Sequence, residues 1–556
     1  MKHRFFNKYN NMNFRYDPTE EKIIVSDASR IEYHQIDIWL TRHVKGYRFQ
    51  PAVKMGVWDG KKSYFDNGRV NLGLWRECLK ACKEISTPFN IENKDEFPLN
   101  REVTLDSVKE FCSEFFKDHK VKDGKTGNWV QFMPYDYQIE TAFKILKNRY
   151  CIASVATSGG KSLIISIVFF YTLKKINSDA KLLIIVPSIT LVTQFYENIL
   201  EYNYGLDKLF NYSDKIDFRN HLIEPILDDN KDYNPCVIRM EEIMSDRPRK
   251  FTGPHQPNIC IGTYQSLVNY PKEFFQQFHT VACDEAHQSK SVSLKSILSK
   301  TFKHAYNRFG VSGTFPPDES LEILSIQSVL GPIITDITAS ELIKKGAITP
   351  MSIKVLLLNH NQKDLNERLS YVKKSGNGAE VFRYEKDYIQ QSDKRLEFIK
   401  KIVLNCNKNT LLLFHTIEYG KRIFEKFKSE IPDKEFYYID GEVSGKKREE
   451  IKSKFEKISD IPQILIASFG TLSTGVSIKN LHYLIMVDSF KSEQIIIQSI
   501  GRLLRLFEGK SQAVIFDLVD VFDDKMNNIL YNHYLEREKF YKKRKYPYQV
   551  KKMLLT

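Results

Sequence analysis

Little in this sequence marks an exported, metal-stapled or membrane-bound protein. Its eight cysteines, Cys78, Cys82, Cys112, Cys151, Cys236, Cys260, Cys283 and Cys406, form no CxxC pair and flank no histidine cluster. That pattern argues against a zinc site or a disulfide framework and predicts reduced, packed thiols. The opening residues are basic but run into Asn7-Lys8-Tyr9-Asn10-Asn11 without the apolar core of a signal peptide. The longest uncharged apolar run, residues 163–173, falls well short of the roughly twenty residues a bilayer helix needs, and it reads as a buried helix. The expectation is a cytoplasmic chain without a membrane partner. No strong low-complexity tract is present either.

What is present is a long chain of ordinary globular composition. Its 556 residues, at roughly 100–200 per domain, exclude a single small fold. With 42% hydrophobic and 27% charged residues, extended disorder and a rod are poor readings. Lysine and arginine number 83 against 69 acidic residues, a net charge of +14 that favours polyanionic partners such as nucleic acid. A coding bias toward lysine, isoleucine and asparagine would yield the same excess, so charge alone assigns nothing.

From residue 151 onward, short apolar runs alternate with helical stretches, the pattern of parallel sheets covered on both faces. Strands are predicted at 150–156, 181–186, 258–263, 280–283 and 309–312, and again at 410–415, 435–439, 463–468, 483–487 and 513–518. Glycine and proline near Gly346 and Pro350 separate the two series. Upstream, Met55-Gly56, Asp59-Gly60 and Asn67-Gly68 are turn signals of a different texture. The division expected is a small α+β domain over 1–120, α/β domains over 121–345 and 346–524, and a basic helical tail over 525–556. The polar stretch between Gln194 and Ile259 is long for a connection and predicts a partly ordered insertion or additional helices.

Directly after the first predicted strand of the series stands Ala156-Thr157-Ser158-Gly159-Gly160-Lys161-Ser162, opening a helix. In a phosphate loop the backbone of Thr157, Ser158, Gly159 and Gly160 would cradle the phosphates of ATP. Lys161 would neutralise them and Ser162 bind Mg²⁺. The strict GxxxxGK[ST] pattern wants glycine where Val155 stands. Further on, Val281-Ala282-Cys283-Asp284-Glu285-Ala286-His287 sets two carboxylates at the end of a strand. Asp284 there can reach a metal's water shell, and Glu285 can orient an attacking water. Taken alone, either motif could be a plain turn or a helix cap; their order and spacing favour a nucleotide site.

These motifs resemble the superfamily 2 helicases, and the resemblance spans roughly residues 130–520. It implies two tandem RecA-like parallel-sheet domains preceded by a small α+β DNA-binding domain, and an ATP hydrolase acting on nucleic acid. Tyr137-Gln138 resemble the adenine-reading pair. Val186-Pro187-Ser188 and Thr263-Tyr264-Gln265-Ser266 resemble segments that touch the nucleic-acid backbone, with Ser188, Thr263, Gln265 and Ser266 as contacts, and Ser312-Gly313-Thr314 resembles the motif coupling hydrolysis to strand movement. In the second domain His415, Gly470 and Thr471 are implied on the nucleic acid and Gly475 on the nucleotide. Gln498-Ser499-Ile500-Gly501-Arg502-Leu503-Leu504-Arg505 matches QxxGRxxR, with Arg502 and Arg505 one helical turn apart facing the γ-phosphate.

Within the superfamily the likeness is strongest to a DNA helicase group of tailed bacteriophages, and extends to Gly46-Tyr47-Arg48-Phe49-Gln50-Pro51 and Trp58-Asp59-Gly60-Lys61-Lys62. It implies branched DNA as the substrate, roles in recombination, fork processing and repair, and phage recombination or single-strand-binding proteins as further partners. Read without the family, Arg48, Lys61 and Lys62 interleaved with Tyr47, Trp58 and Tyr64 suit phosphate contact and base stacking, while the same aromatics would equally serve as core of a small domain. Arg537, Lys539, Lys542, Lys543, Arg544 and Lys545 read as a duplex-facing stripe or as a solvated helix face. Phosphate-gripping motifs do not distinguish the sugar. An RNA helicase, a restriction-complex motor subunit and a non-catalytic nucleic-acid clamp therefore stay open as alternatives.

Overall fold

The computed structural model describes residues 11–94, 97, 101–123, 126–202, 223–225, 238–243, 258–301, 305–360, 367, 369–372, 374, 378–457, 459–470, 478–522 and 528–555. They form two compact units. The first comprises residues 1–119, 131–155 and 160–336; the second comprises 120–130, 156–159 and 337–556.

The first unit opens on a small mixed sheet. Its strands are β1 (Met12–Asp17), β2 (Lys22–Ser26), β5 (Phe65–Asp66), β6 (Arg69–Asn71) and β7 (Phe89–Ile91), in the order β5-β6-β2-β1-β7. A separate ribbon pairs β3 (Thr41–His43) with β4 (Lys61–Ser63). Alternating apolar residues of β1 and β2 bury Phe14, Tyr16, Ile23 and Val25 on one face. Asn67-Gly68 joins β5 to β6 with φ of 48° and 76°, the left-handed pair that a two-residue hairpin demands.

This sheet is fastened to the first of two large parallel sheets. Arg308, fully buried, reaches the buried Glu21 at 3.3 Å. Tyr150 and Leu324 of the larger domain sit in the same apolar cluster as Phe14 and Trp75. A Cβ on Gly73 would lie 2.0 Å from the Gln327 carbonyl oxygen, so only glycine admits that approach.

The larger sheet of the first unit contains β10 (Tyr150–Val155), β11 (Leu182–Val186), β12 (Ile223–Pro225), β13 (Ile238–Ile243), β14 (Ile259–Thr263), β15 (Thr280–Asp284), β16 (Asn307–Ser312) and β17 (Ile333–Ile337). Their order is β12-β13-β14-β11-β15-β16-β10-β17. The five predicted strands are all present, buried along their length. Within the polar stretch 195–258, the described parts include β12 and β13, which extend the sheet beyond β14; the rest of that expectation lies outside the described residues. Helix Lys161–Lys175 is buried all round through residues 163–173, as its uniformly apolar sequence requires.

The second unit carries β18 (Met351–Asn359), β19 (Thr410–Phe414), β20 (Glu435–Ile439), β21 (Gln463–Ser468), β22 (Tyr483–Met486), β23 (Ala513–Val521) and β24 (Tyr548–Leu554), ordered β20-β21-β19-β22-β23-β18-β24, while β8 (Lys120–Lys122) and β9 (Trp129–Gln131) make a separate two-stranded sheet. The two parallel sheets expected are thus both present. The tail corrects the sequence reading. Helix Ile529–Lys543 is followed by β24, which pairs in parallel with β18 from Ile353↔Tyr548 to Asn359↔Leu554. Arg537, expected on a DNA-facing stripe, is instead buried, donating through Nε and Nη2 to Asp517 at 3.0 and 2.8 Å. A guanidinium inside the core demands such a bidentate partner. Three residues along the same strand, Asp520 takes Arg395 in the same way and also meets His360.

The seven described cysteines are free and buried, matching the expectation of packed thiols. Burial pushes the Cys406 and Cys82 thiols up to about 11. Among the described residues no helix is long and apolar enough to cross a membrane, and no cluster of ligating side chains could hold a metal by itself.

Candidate functional site

In an open parallel sheet, ligands bind beyond the carboxyl ends of the strands. At that edge the chain leaves β10 into the phosphate-loop motif, Ser188 follows β11, Thr263 closes β14, Asp284 closes β15 and Ser312 closes β16. The loop turns on two positive φ values, 67° at Ser158 and 78° at Gly160. A Cβ on Gly160 would fall 2.2 Å from Gln138 Nε2, so the buried Gln138 packs onto the loop backbone. Gln138 Oε1 also accepts from the Tyr135 amide at 2.9 Å, which fixes the start of helix Asp136–Asn148.

Tyr137, expected to read adenine with Gln138, is only 3% exposed in the body of that helix. Tyr135, 43% exposed and stacked on Tyr137 with ring centroids 5.7 Å apart, is the accessible ring. The start of the helix decides which of the two rings faces inward.

The acidic motif forms one connected cluster. Lys161 Nζ lies 3.5 Å from Glu285 Oε1, both side chains mostly buried. Glu285 Oε2 accepts from Ser312 Oγ at 3.3 Å and faces His287 Nδ1 at the same distance; His287 and Ser312 are themselves 2.9 Å apart. Glu285 adopts φ 49°, a left-handed conformation that turns the chain out of β15. Burial pushes the Asp284 carboxyl up and Lys161 only partly offsets it. Burial would raise Glu285 as well, but Lys161, His287 and Ser312 outweigh it and hold its carboxyl down. Asp284 Oδ1 is buried with no hydrogen-bond partner among the described residues. An oxygen taken from water and left without a donor is costly, and a cation bound there would satisfy it. Ser162 Oγ, the other expected magnesium ligand, accepts from Asn198 Nδ2 at 3.2 Å.

Of the backbone-contact residues expected in this unit, Thr263 and Ser266 are engaged elsewhere. Thr263 Oγ1 accepts from the Ser266 amide at 3.3 Å and donates to Ser266 Oγ at 3.0 Å, capping the short helix Tyr264–Leu267, and both residues are buried. Gln265 is exposed, with its Nε2 3.4 Å from the Pro187 carbonyl. Ser188 Oγ is buried and lacks a partner among the described residues.

In the second unit, helix Glu493–Leu503 carries Arg502 in its last turn. The sequence reading put Arg505 on the same helix, but the helix stops at Leu503 and Arg505 sits in the turn beyond. The stop has a cause. Thr349 donates to the Leu504 and Arg505 carbonyls, and Lys510 Nζ donates to those of Leu503 and Arg505. A cation on the last carbonyls ends a helix favourably. Neither Thr349 nor Lys510 belongs to a motif, so sequence reasoning missed both. His415 and Gly470 are exposed at strand ends, the His415 amide donating to Asp488 at 2.7 Å. Thr471 and Gly475 lie outside the described residues.

In the amino-terminal domain Arg48, Lys61 and Lys62 are exposed. Their aromatic neighbours serve structure: Tyr47 stacks on His43 at 4.1 Å and against Gly60, and Trp58 Nε1 donates to the Lys61 carbonyl.

Comparison with known proteins agrees with this arrangement. Residues 135–323 match the DEAD/DEAH box helicase family and residues 394–507 the helicase conserved C-terminal domain. Over 540 residues, 94% of this chain and 96% of the relative, the sequence is 29% identical to the ATP-dependent DNA helicase uvsW of Enterobacteria phage T4. Two solved structures share the fold at 16% identity. The ATP-dependent Type ISP restriction-modification enzyme LlaBIII bound to DNA has a TM-score of 0.51, covering 77% of this chain and 32% of that one. Mss116p bound to ssRNA and AMP-PNP has a TM-score of 0.50, covering 82% and 80%. The chain thus belongs to the DEAD/DEAH-box helicases of superfamily 2 and is an ATP-dependent, nucleic-acid-acting enzyme related to T4 UvsW.

Proposed function

We propose that the chain is a DNA-dependent ATPase that translocates on and unwinds branched DNA, including forks, D-loops and four-way junctions, in recombination, fork processing and repair within a phage-infected bacterial cytoplasm. The observation that supports this most is that similarity to a phage DNA helicase runs through 94% of the chain and so takes in the amino-terminal domain as well as the motor. In this reading residues 1–120 bind DNA, and residues 121–345 and 346–524 are the motor domains, the latter extended by the terminal helix and strand.

The chemistry follows from the cluster around Glu285. Lys161 and the backbone of Thr157, Ser158, Gly159 and Gly160 hold the triphosphate, and Tyr135 with Gln138 receives the adenine. Asp284 and Ser162 are the residues that would hold Mg²⁺, which when bound spreads the charge of the phosphates. Glu285, ionised and fixed by Ser312 and His287, orients the attacking water. Arg502 and Arg505 supply positive charge to the γ-phosphate, a contribution worth about 10³ to 10⁵ in rate for an arginine finger. Gln265, His415 and the backbone at Gly470 meet strand phosphates without reading bases.

Unwinding of matched forked, four-way and linear duplexes with ATP tests the reading, with single-stranded DNA and RNA compared as stimulators of hydrolysis. Faster unwinding of branched DNA and stimulation by DNA are expected. Preference for RNA, or hydrolysis without unwinding of any branched form, would contradict it.

A further inference from the structure

Three large apolar side chains stand out on one small loop of the amino-terminal domain. Phe49 is 79% exposed, Met55 70% and Val57 79%. Isolated apolar residues on a surface are ordinary, but three within nine positions are not scattered. The loop that carries them is built rigidly. It leaves the β3–β4 ribbon between Val44 and Gly60, whose backbones close its neck at 2.8 Å. The Tyr47 ring fills the space a Cβ on Gly60 would occupy, and Trp58 ties back to Lys61. The Met55 amide bonds to the Pro51 carbonyl, and the Val57 and Trp58 amides to that of Ala52. The larger aromatics therefore brace the loop from inside, while its outer side chains are left in water.

Charge selects the occupant. Over residues 41–63 the chain carries Arg42, Lys45, Arg48, Lys54, Lys61 and Lys62 against a single carboxylate, Asp59. An apolar protein-docking patch has no need of such one-sided charge, whereas cations on phosphates with apolar side chains against a base step are the means by which proteins wedge into DNA. Opening an internal base step costs several kcal/mol of stacking, but at a branch one face of the last base pair is already bare.

We propose that the loop 44–60 is a junction wedge. Phe49, with Met55 and Val57, enters at the bare face of the last base pair of a duplex arm and forces that pair open, and Lys45, Arg48 and Lys54 hold the diverging phosphates. The proposal rests on the branched-DNA reading and adds the site where the strands part.

The test uses the full chain and a synthetic fork with 2-aminopurine in the last pair of the duplex arm. Binding of the parent protein without ATP should brighten the probe as that pair opens. The variant F49A/M55A/V57A, altered only at exposed positions and checked by an unchanged melting temperature, should weaken that brightening and slow fork unwinding roughly five-fold or more, the lower end of what loss of a stacked aromatic costs. Restoring Phe49 alone in that background should recover most of the effect. A variant with the parental fluorescence change and unwinding rate would overturn the wedge and leave the loop as a protein-docking surface. A parent that binds forks without brightening the probe would overturn it as well. A parent that binds and unwinds forks no better than linear duplex would instead overturn the branched-DNA reading on which the wedge stands.

Discussion

Single residues carry the chemistry through what surrounds them. Glu285 is held ionised because Lys161, His287 and Ser312 converge on it, whereas the adjacent Asp284 is pushed up by burial. Glu285→Gln keeps the shape and removes the charge proposed to orient water, so ATP turnover should fall roughly 10²-fold or more while nucleotide binding survives; turnover and equilibrium binding of a fluorescent ATP analogue check both halves. A second prediction concerns Glu21 and Arg308. Removing either partner leaves a buried charge and should destabilise the first unit by about 3–5 kcal/mol, while Glu21→Gln with Arg308→Met should recover much of that loss. Urea unfolding of the three variants measures it. Residues of this scale were legible where a motif fixes both type and spacing, as at Lys161, Glu285 and Ser312. They were illegible where burial decides. Which of Tyr135 and Tyr137 faces solvent follows from where the helix starts, and Thr263 turns to cap the next helix through Ser266, three residues on.

At the scale of elements, apolar runs predicted ten strands of the two large sheets with boundaries within three residues, the largest difference falling at the end of β23. β12, β13, β17, β18 and β24 escaped, although β18 carries the apolar run Val355-Leu356-Leu357-Leu358. β24, Tyr-Gln-Val-Lys-Lys-Met-Leu, is a mostly exposed edge strand with two lysines and no buried residue. The two acids of β23 were a signal that could have been used, since Asp517 and Asp520 inside an apolar run must find buried cations, and they do in Arg537 and Arg395. One element makes a pH prediction. His482, beside the amino end of β22, is held down at about 4 by burial and by the nearby Lys510 and Lys408. The folded state keeps it neutral while the unfolded chain titrates near 6.5. The unfolded chain therefore binds more protons between about pH 4 and 6.5, and stability falls as pH drops through that window. Because the ring is partly exposed, about 1 kcal/mol at pH 5 is expected. Thermal melting of the parent at pH 7.5 and pH 5 should differ by more than that of His482→Gln; equal differences would remove His482 as the cause.

At the scale of the whole molecule, the amino-terminal sheet and the first parallel sheet form one unit. Glu21–Arg308, the close approach at Gly73 and a shared apolar cluster join them. Turn signals revealed that this small domain exists, but nothing in its sequence announced that it is fused to the motor, because the joining residues are single and far apart. If, as proposed, ATP hydrolysis at the Lys161–Glu285 cluster drives separation of DNA strands, a single assay reads it out. Unwinding of a forked duplex is followed for the parent and for Lys161→Ala, with ATP turnover recorded in the same reactions with and without single-stranded DNA. The parent should hydrolyse ATP faster with DNA and open the fork, and Lys161→Ala should bind the fork but lose both activities. Fork opening by Lys161→Ala at the parental rate, or parental hydrolysis indifferent to DNA, would contradict it.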